Sequence, residues 1–301
     1  MTARARRCRW LVPVVVACLA GGAAAETAKK PEATVLLERA IAGEKEPGQL
    51  EKALAELDAL AAKQARDPDV HYARGWVLSH LGRGDEAVVA YDRAFELAPT
   101  LADAAYNAGV VHGRAGRPRE AAAHFDKALG ANPRHVDAAY NAGQAYYDAA
   151  MYPKAAERWQ KAAALAPNDF QTAKKLVQAY VALDDARMTA RARDTVFALR
   201  RASRDPAIAK LSSYVYDQFD VGTHHIFVHE AFDPKAFVFQ FTVTENDRTL
   251  GSITFEPRAG GGFALALDRA GKRSVLATSW KERPDYKLLK AEATRAISAS
   301  F

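Results

Sequence analysis

Three stretches of this 301-residue chain superimpose when one is slid along the next by 34 residues. Gly75, Gly109 and Gly143 fall in step, as do Ala87, Ala121 and Ala155, then Tyr91, Phe125 and Trp159. Ala94, Ala128 and Ala162 follow, and Pro99, Pro133 and Pro167 close each row. A period in this range marks stacked supersecondary units, none of which can bury its apolar face alone. The chain is a repeat scaffold before it is anything else.

Those columns resemble the tetratricopeptide repeat, a helix-turn-helix unit with W-x2-L-G-x2-Y, then A-x3-F, then A and P. The resemblance covers residues 68 to 169, in units 68–101, 102–135 and 136–169, and departs from the pattern at its front. His71, Ala105 and Ala139 stand in the Trp column, and Arg74, Ala108 and Ala142 in the Leu column. Gly on the first helix and Ala on the second should let the pair approach closely, with the aromatic filling the gap between successive pairs. Each Pro should end its second helix, because it lacks an N–H and clashes with the preceding turn.

Residues 1 to 25 read as an export signal: Arg4, Arg6, Arg7 and Arg9, an apolar run from Leu11 to Ala20, and Ala23-Ala24-Ala25 before Glu26. The apolar run is short of the roughly 20 residues a permanent membrane helix needs, so cleavage is expected. Cleavage would take the net charge from +6 to +2, which removes most of the compositional support for a nucleic-acid partner. Both cysteines, Cys8 and Cys18, lie in this segment, so the mature chain would have no thiol for a disulfide, a thiolate metal site or a nucleophile. Val15-Val16-Ala17-Cys18 also resembles a lipobox; lipidation there would tether the chain to a membrane instead of leaving it periplasmic or secreted. Residues 26 to 32 form a polar lead-in. Ala33 to Ala42 and Leu50 to Ala65, joined by Pro47-Gly48, make a helical pair off the repeat pattern, as expected of a solenoid cap.

Beyond Pro167 the helical pattern continues through Leu183 and Arg201, but Val177 replaces Gly, Thr189 replaces Ala and Arg193 replaces the aromatic. This is a degenerate fourth unit. In the family the first helix of each unit lines a concave groove, and by phase the groove here would carry Tyr72, Trp76, Tyr106, Asn107, Tyr140, Asn141, Gln144, Tyr147, Lys174, Lys175 and Gln178. Amides offer a donor and an acceptor to a main chain, and Tyr supplies rigid apolar area with a polar tip, which suits a protein or peptide partner. The alternative is structural: Tyr and Asn recur because the repeat recurs, and Asn packs on the neighbouring unit. Residues 170 to 210 hold nine Lys or Arg against four Asp, as a solvated helix face does.

The texture changes near Asp205-Pro206. Ile208, Leu211, Val215 and Phe219 predict a short helix. Period two then takes over, predicting strands over His224–Ala231, Phe237–Thr244, Leu250–Glu256, Phe263–Asp268 and Ser274–Trp280, in an antiparallel meander. A last helix from near Pro284 presents Tyr286, Leu289, Ala293, Ala296 and Ile297 on one stripe. His225 and His229 share a strand face about 13 Å apart, too far for one metal without outside ligands. Gly260-Gly261-Gly262 lacks the Lys-Ser/Thr of a phosphate loop and reads as a hairpin.

The sequence therefore predicts an α+β chain: a tetratricopeptide solenoid over 33–203, then an antiparallel sheet-plus-helix domain over 204–301. The expected function is a non-catalytic protein- or peptide-binding scaffold of the bacterial cell envelope, with no catalytic residues, cofactor or metal. Two rivals stand beside it: a sheet domain that holds or works on a small ligand, and a lipid-anchored outer-membrane or pilus assembly factor that depends on Cys18.

Overall fold

The computed structural model describes residues 31–301 apart from 234 and 236. The export segment, Cys18 and most of the polar lead-in lie outside the described residues. No described helix is long and apolar enough to cross a membrane. The chain divides into two compact units between Ala166 and Pro167.

The first unit is a run of helices: α1 Glu32–Ala42, α2 Gln49–Lys63, α3 Pro68–His80, α4 Gly84–Leu97, α5 Ala102–Arg114, α6 Pro118–Ala131, α7 Val136–Asp148 and α8 Tyr152–Leu165. Local signals set the ends. Asp67 caps α3 by accepting from the Asp69 N–H at 2.9 Å, with Pro68 in the first turn. The turns inside the repeats use one recurring left-handed residue, Gly82, Gly116 and Ala150, with φ of 75°, 70° and 58°. Just after it, Arg83, Arg117 and Met151 donate back to the carbonyls of Leu78, His112 and Tyr146, which is the Schellman closure.

The packing explains the Gly columns. A Cβ on Gly75 would lie 2.7 Å from the ring of Tyr91, one on Gly109 2.7 Å from Phe125, and one on Gly143 2.5 Å from Trp159. The aromatic therefore sits on the glycine of its own repeat. Ala87, Ala121 and Ala155, with Ala94, Ala128 and Ala162, are fully buried beside it. Nothing larger than hydrogen fits under each ring.

Within the second repeat, His112 on α5 and His124 on α6 are both buried with ring centroids 4.8 Å apart. His124 reaches Asp92 at 3.1 Å, whereas Nδ1 of His112 has no hydrogen-bond partner among the described residues. Burial, then His124 and Arg117, push the His112 imidazole below its ordinary value. Above about pH 6.5 the group is neutral in both folded and unfolded chains and contributes nothing. As pH falls below that, the unfolded chain takes up a proton that the fold refuses, so stability drops by at most about 1.4 kcal/mol per pH unit. Thermal unfolding between about pH 7.5 and pH 5 should show His112→Leu losing less on acidification than the parent. Parallel curves would remove His112 as the cause.

The second unit begins with α9 Phe170–Ala182 and α10 Ala186–Ala202, the degenerate pair that the sequence grouped with the solenoid. Their shared turn keeps the left-handed residue, Asp184 at φ 55°. With the Gly and aromatic columns gone, the pair packs with the sheet: α9 lies against the first strand, and the Gln178 amide donates to the Val215 carbonyl at 3.5 Å. The division into compact units falls ahead of α9.

After α11 Pro206–Ala209, the sheet runs β1 Ser213–Val221, β2 His224–Ala231, β3 Phe239–Glu245, β4 Arg248–Pro257, β5 Phe263–Arg269 and β6 Lys272–Trp280. Spatial order equals chain order, and every pair is antiparallel. The meander is as expected, with one strand more. Val215 and Phe219, expected on a helix, belong to β1. A register shift between Val215 and Asp217 breaks the alternation there, and the broken period imitated helical spacing. Asn246 and Asp247, both at positive φ, close the β3–β4 hairpin. Ile226, Val228, Phe241, Val243, Ile253 and Phe255 form the buried face, and α12 Tyr286–Ser300 adds Leu289, Ala293 and Ile297 to the core.

Candidate functional site

The first helices of the repeats, α3, α5 and α7, place equivalent side chains at equal heights, because the period of 34 repeats their phase. The structure ties neighbouring repeats together through these residues. Asn107 Nδ2 donates to the Tyr72 hydroxyl at 3.1 Å, and Asn141 Nδ2 to the Tyr106 hydroxyl at 2.9 Å. Each tyrosine is thus held by the amide of the next repeat.

That ladder decides which predicted residues can meet a partner. Tyr106 is 3% exposed and Asn141 5%, and Trp76, Gln144 and Tyr147 are buried as well. Trp76 stacks on His80 at 3.7 Å, Gln144 donates to Asp148 at 2.9 Å, and Tyr147 packs between Tyr152 and Trp159. These five serve the interior of the solenoid, so the structural alternative holds for them. Tyr72, Asn107 and Tyr140 remain half-exposed.

The sequence reading missed an aspartate column beside the tyrosines. Asp69, Asp103 and Asp137 also step by 34, each three residues before its tyrosine and so on the same helix face. The shift that found the glycines would have found them. Asp103 acts on the Tyr72 hydroxyl and Asp137 on that of Tyr106, so each acid stands over the tyrosine of the preceding repeat. Tyr72 is pushed up to about 12, mainly by burial and then by Asp103, against the donation from Asn107. Burial, joined by Asp67, raises the Asp69 carboxyl. Asp103 lies 3.4 Å from His135, whose ring stacks on Tyr106. With Asp148, this face carries four aspartates to the single arginine Arg114. Aspartates in a first turn also favour the helix dipole by about 0.3–1 kcal/mol each, which does not use up their outward charge.

Lys174, Lys175 and Gln178 lie on α9 in the second unit. Lys174 lies over the Phe170 ring at 5.3 Å, and burial, then Lys175, lower its ammonium. Gln178 is buried against β1, so it serves the packing there. His225 and His229 lie on β2 as expected. His225 contacts Asp220 across the β1–β2 pair at 2.6 Å, and burial lowers the His229 imidazole. Among the described residues no group of three His, Cys, Asp or Glu is placed to hold a metal ion.

Family models described as tetratricopeptide repeat match residues 68–101 and residues 106–170. None of the curated proteins matches the chain. Among solved structures, a MamA protein shares 16% identity at a TM-score of 0.50, over 57% of this chain and 95% of that one. MamA from Desulfovibrio magneticus RS-1 shares 26% at a TM-score of 0.48, over 59% of this chain and 100% of that one. YrrB, titled a TPR protein with an unusual peptide-binding site, shares 17% at 0.47, over 59% and 90%. The first of these likenesses is one of fold alone. Residues 68–101 and 106–170, with their glycine-seated aromatics and their ladder of helix pairs, are tetratricopeptide repeats.

Proposed function

We propose that this chain is a non-catalytic scaffold whose first-helix face holds a basic segment of another protein, in the cell envelope after export. The observation that carries the reading is the column of Asp69, Asp103 and Asp137 beside the half-exposed Tyr72 and Tyr140. Such a face attracts Lys and Arg at a regular interval and offers aromatic area to their methylene stems. The export half of the reading rests on Arg4 to Arg9, the apolar run and Ala23-Ala24-Ala25.

The test uses short labelled peptides, one of alternating Lys and Ala and one of alternating Glu and Ala, read by fluorescence anisotropy. The basic peptide should bind in a salt-sensitive manner and the acidic one should not. Asp69→Asn, Asp103→Asn and Asp137→Asn together should weaken binding about tenfold, as expected for three ion pairs at the solvent boundary, while the far-UV spectrum is unchanged. Equal binding of both peptides, or a triple variant that binds like the parent, would refute the reading. Alanine at Tyr106 and Asn141 is no substitute, because it removes packing from the solenoid itself.

A further inference from the structure

In the second unit two guanidinium groups converge on one carboxylate. Glu230, on β2, is 2% exposed; Arg193 of α10 donates Nε to one of its oxygens at 2.6 Å, and the Tyr214 hydroxyl donates to the other at 2.6 Å. Arg283, just ahead of α12, stands 3.9 Å from the first oxygen, beyond hydrogen-bond reach, with its guanidinium over the Phe239 ring at 5.2 Å. The neighbouring buried carboxylate, Asp217, is already taken by Lys290 and Tyr286, each at 2.7 Å. Three cations thus face two anions. Burial depresses the Arg283 guanidinium, and the repulsion of Arg193 adds to this while Glu230 offsets part of it.

Tyr216 supplies an independent observation. It is 6% exposed, its ring is set against Phe239 at 5.0 Å and Tyr286 at 4.8 Å, and its hydroxyl makes no hydrogen bond among the described residues. The hydroxyl oxygen itself is not sealed from solvent, so a ligand can reach it. The charged groups that act on it are Glu230, Arg193, Asp217 and Arg283, which places the hydroxyl inside this cluster.

We propose that Arg193, Arg283 and Tyr216 form a recess for an oxyanion, the carboxylate or phosphate head of a small ligand, with the rings of Phe239 and Tyr286 beside it. Guanidinium forks match the oxygen spacing of both groups, and the phenol supplies a further donor. A bound anion would balance the third cation and satisfy the idle hydroxyl. The site lies wholly within the second unit, so it stands or falls independently of the peptide-binding face.

The test is a titration of the full chain with inorganic phosphate and with acetate, against chloride at matched ionic strength, read on the arginine Nε–H resonances. Saturating shifts at Arg193 and Arg283 are expected, and the tighter anion names the head group. Tyr216→Phe removes a hydroxyl that bonds nothing in the fold, so it should leave thermal stability unchanged yet weaken binding about tenfold. Arg283→Gln should abolish saturation, and Arg283→Lys should restore part of it. Shifts that never saturate with either anion, or equal affinity in Tyr216→Phe or in Arg283→Gln, would overturn the proposal.

Discussion

Replacing Glu230 by alanine is expected to lower the unfolding free energy by about 3 kcal/mol, the lower end of the range for breaking a buried ion pair. The carboxylate is sealed in the sheet and bonded at both oxygens, so its loss leaves the Tyr214 hydroxyl and Arg193 without an acceptor. The lower end applies because Arg193 is about a third exposed and regains some hydration when its partner goes. Urea unfolding with the Arg193→Leu, Glu230→Leu double variant completes the measurement. Replacing both partners with apolar side chains should recover part of the loss, since the Arg193 charge leaves with its partner and Arg283, 41% exposed, stays hydrated. A loss below about 1 kcal/mol in Glu230→Ala would show that the contact carries little weight.

Gly143→Ala should cost about 1–3 kcal/mol, because the added methyl would lie 2.5 Å from the Trp159 ring and the pair α7–α8 would have to part. Helix propensity alone predicts the opposite, a gain of up to about 1 kcal/mol for Gly to Ala. Gly130 on α6 separates the two effects, since a Cβ there meets nothing within 4 Å. Gly130→Ala should therefore stabilise where Gly143→Ala destabilises, and thermal midpoints of opposite sign would show it. If both variants gained, Trp159 would be free to move and the glycine column would be a matter of sequence history rather than packing.

The helical repeats were legible because their chemistry is local and periodic. Gly75, Gly109 and Gly143 announce close approach wherever they stand, and Pro68, Pro118 and Asp67 mark helix starts without help from the fold. The first strand was not legible. Its register shift at Val215 and Asp217 destroys the alternation by which a strand is recognised, so Val215 and Phe219 matched a helical spacing instead. The helical pair α9–α10 was assigned by texture to the solenoid, yet its lost glycine and aromatic columns were the sign that it would pack with something else.

The residues predicted to line a groove share a phase along the first helices but differ in exposure. Phase follows from the period, so Tyr72, Tyr106 and Tyr140 were bound to share a face. Exposure depends on what the next repeat supplies, and Asn141 arrives from 35 residues away to seal Tyr106. The same shift held the aspartates in plain view, but an acid in a first turn passes as ordinary helix capping until its neighbour is known.

What the sequence by itself determined is the period, and with it the stacked helix pairs, because each unit's apolar surface can be covered only by another like it. Only the tertiary structure decided which polar groups lose water. Glu230 is desolvated by residues 16 and 37 positions distant, Tyr214 and Arg193, and no local pattern encodes a carboxylate's surroundings across that separation. Burial of a polar group depends on every element that closes over it, whereas helix phase depends on the backbone alone.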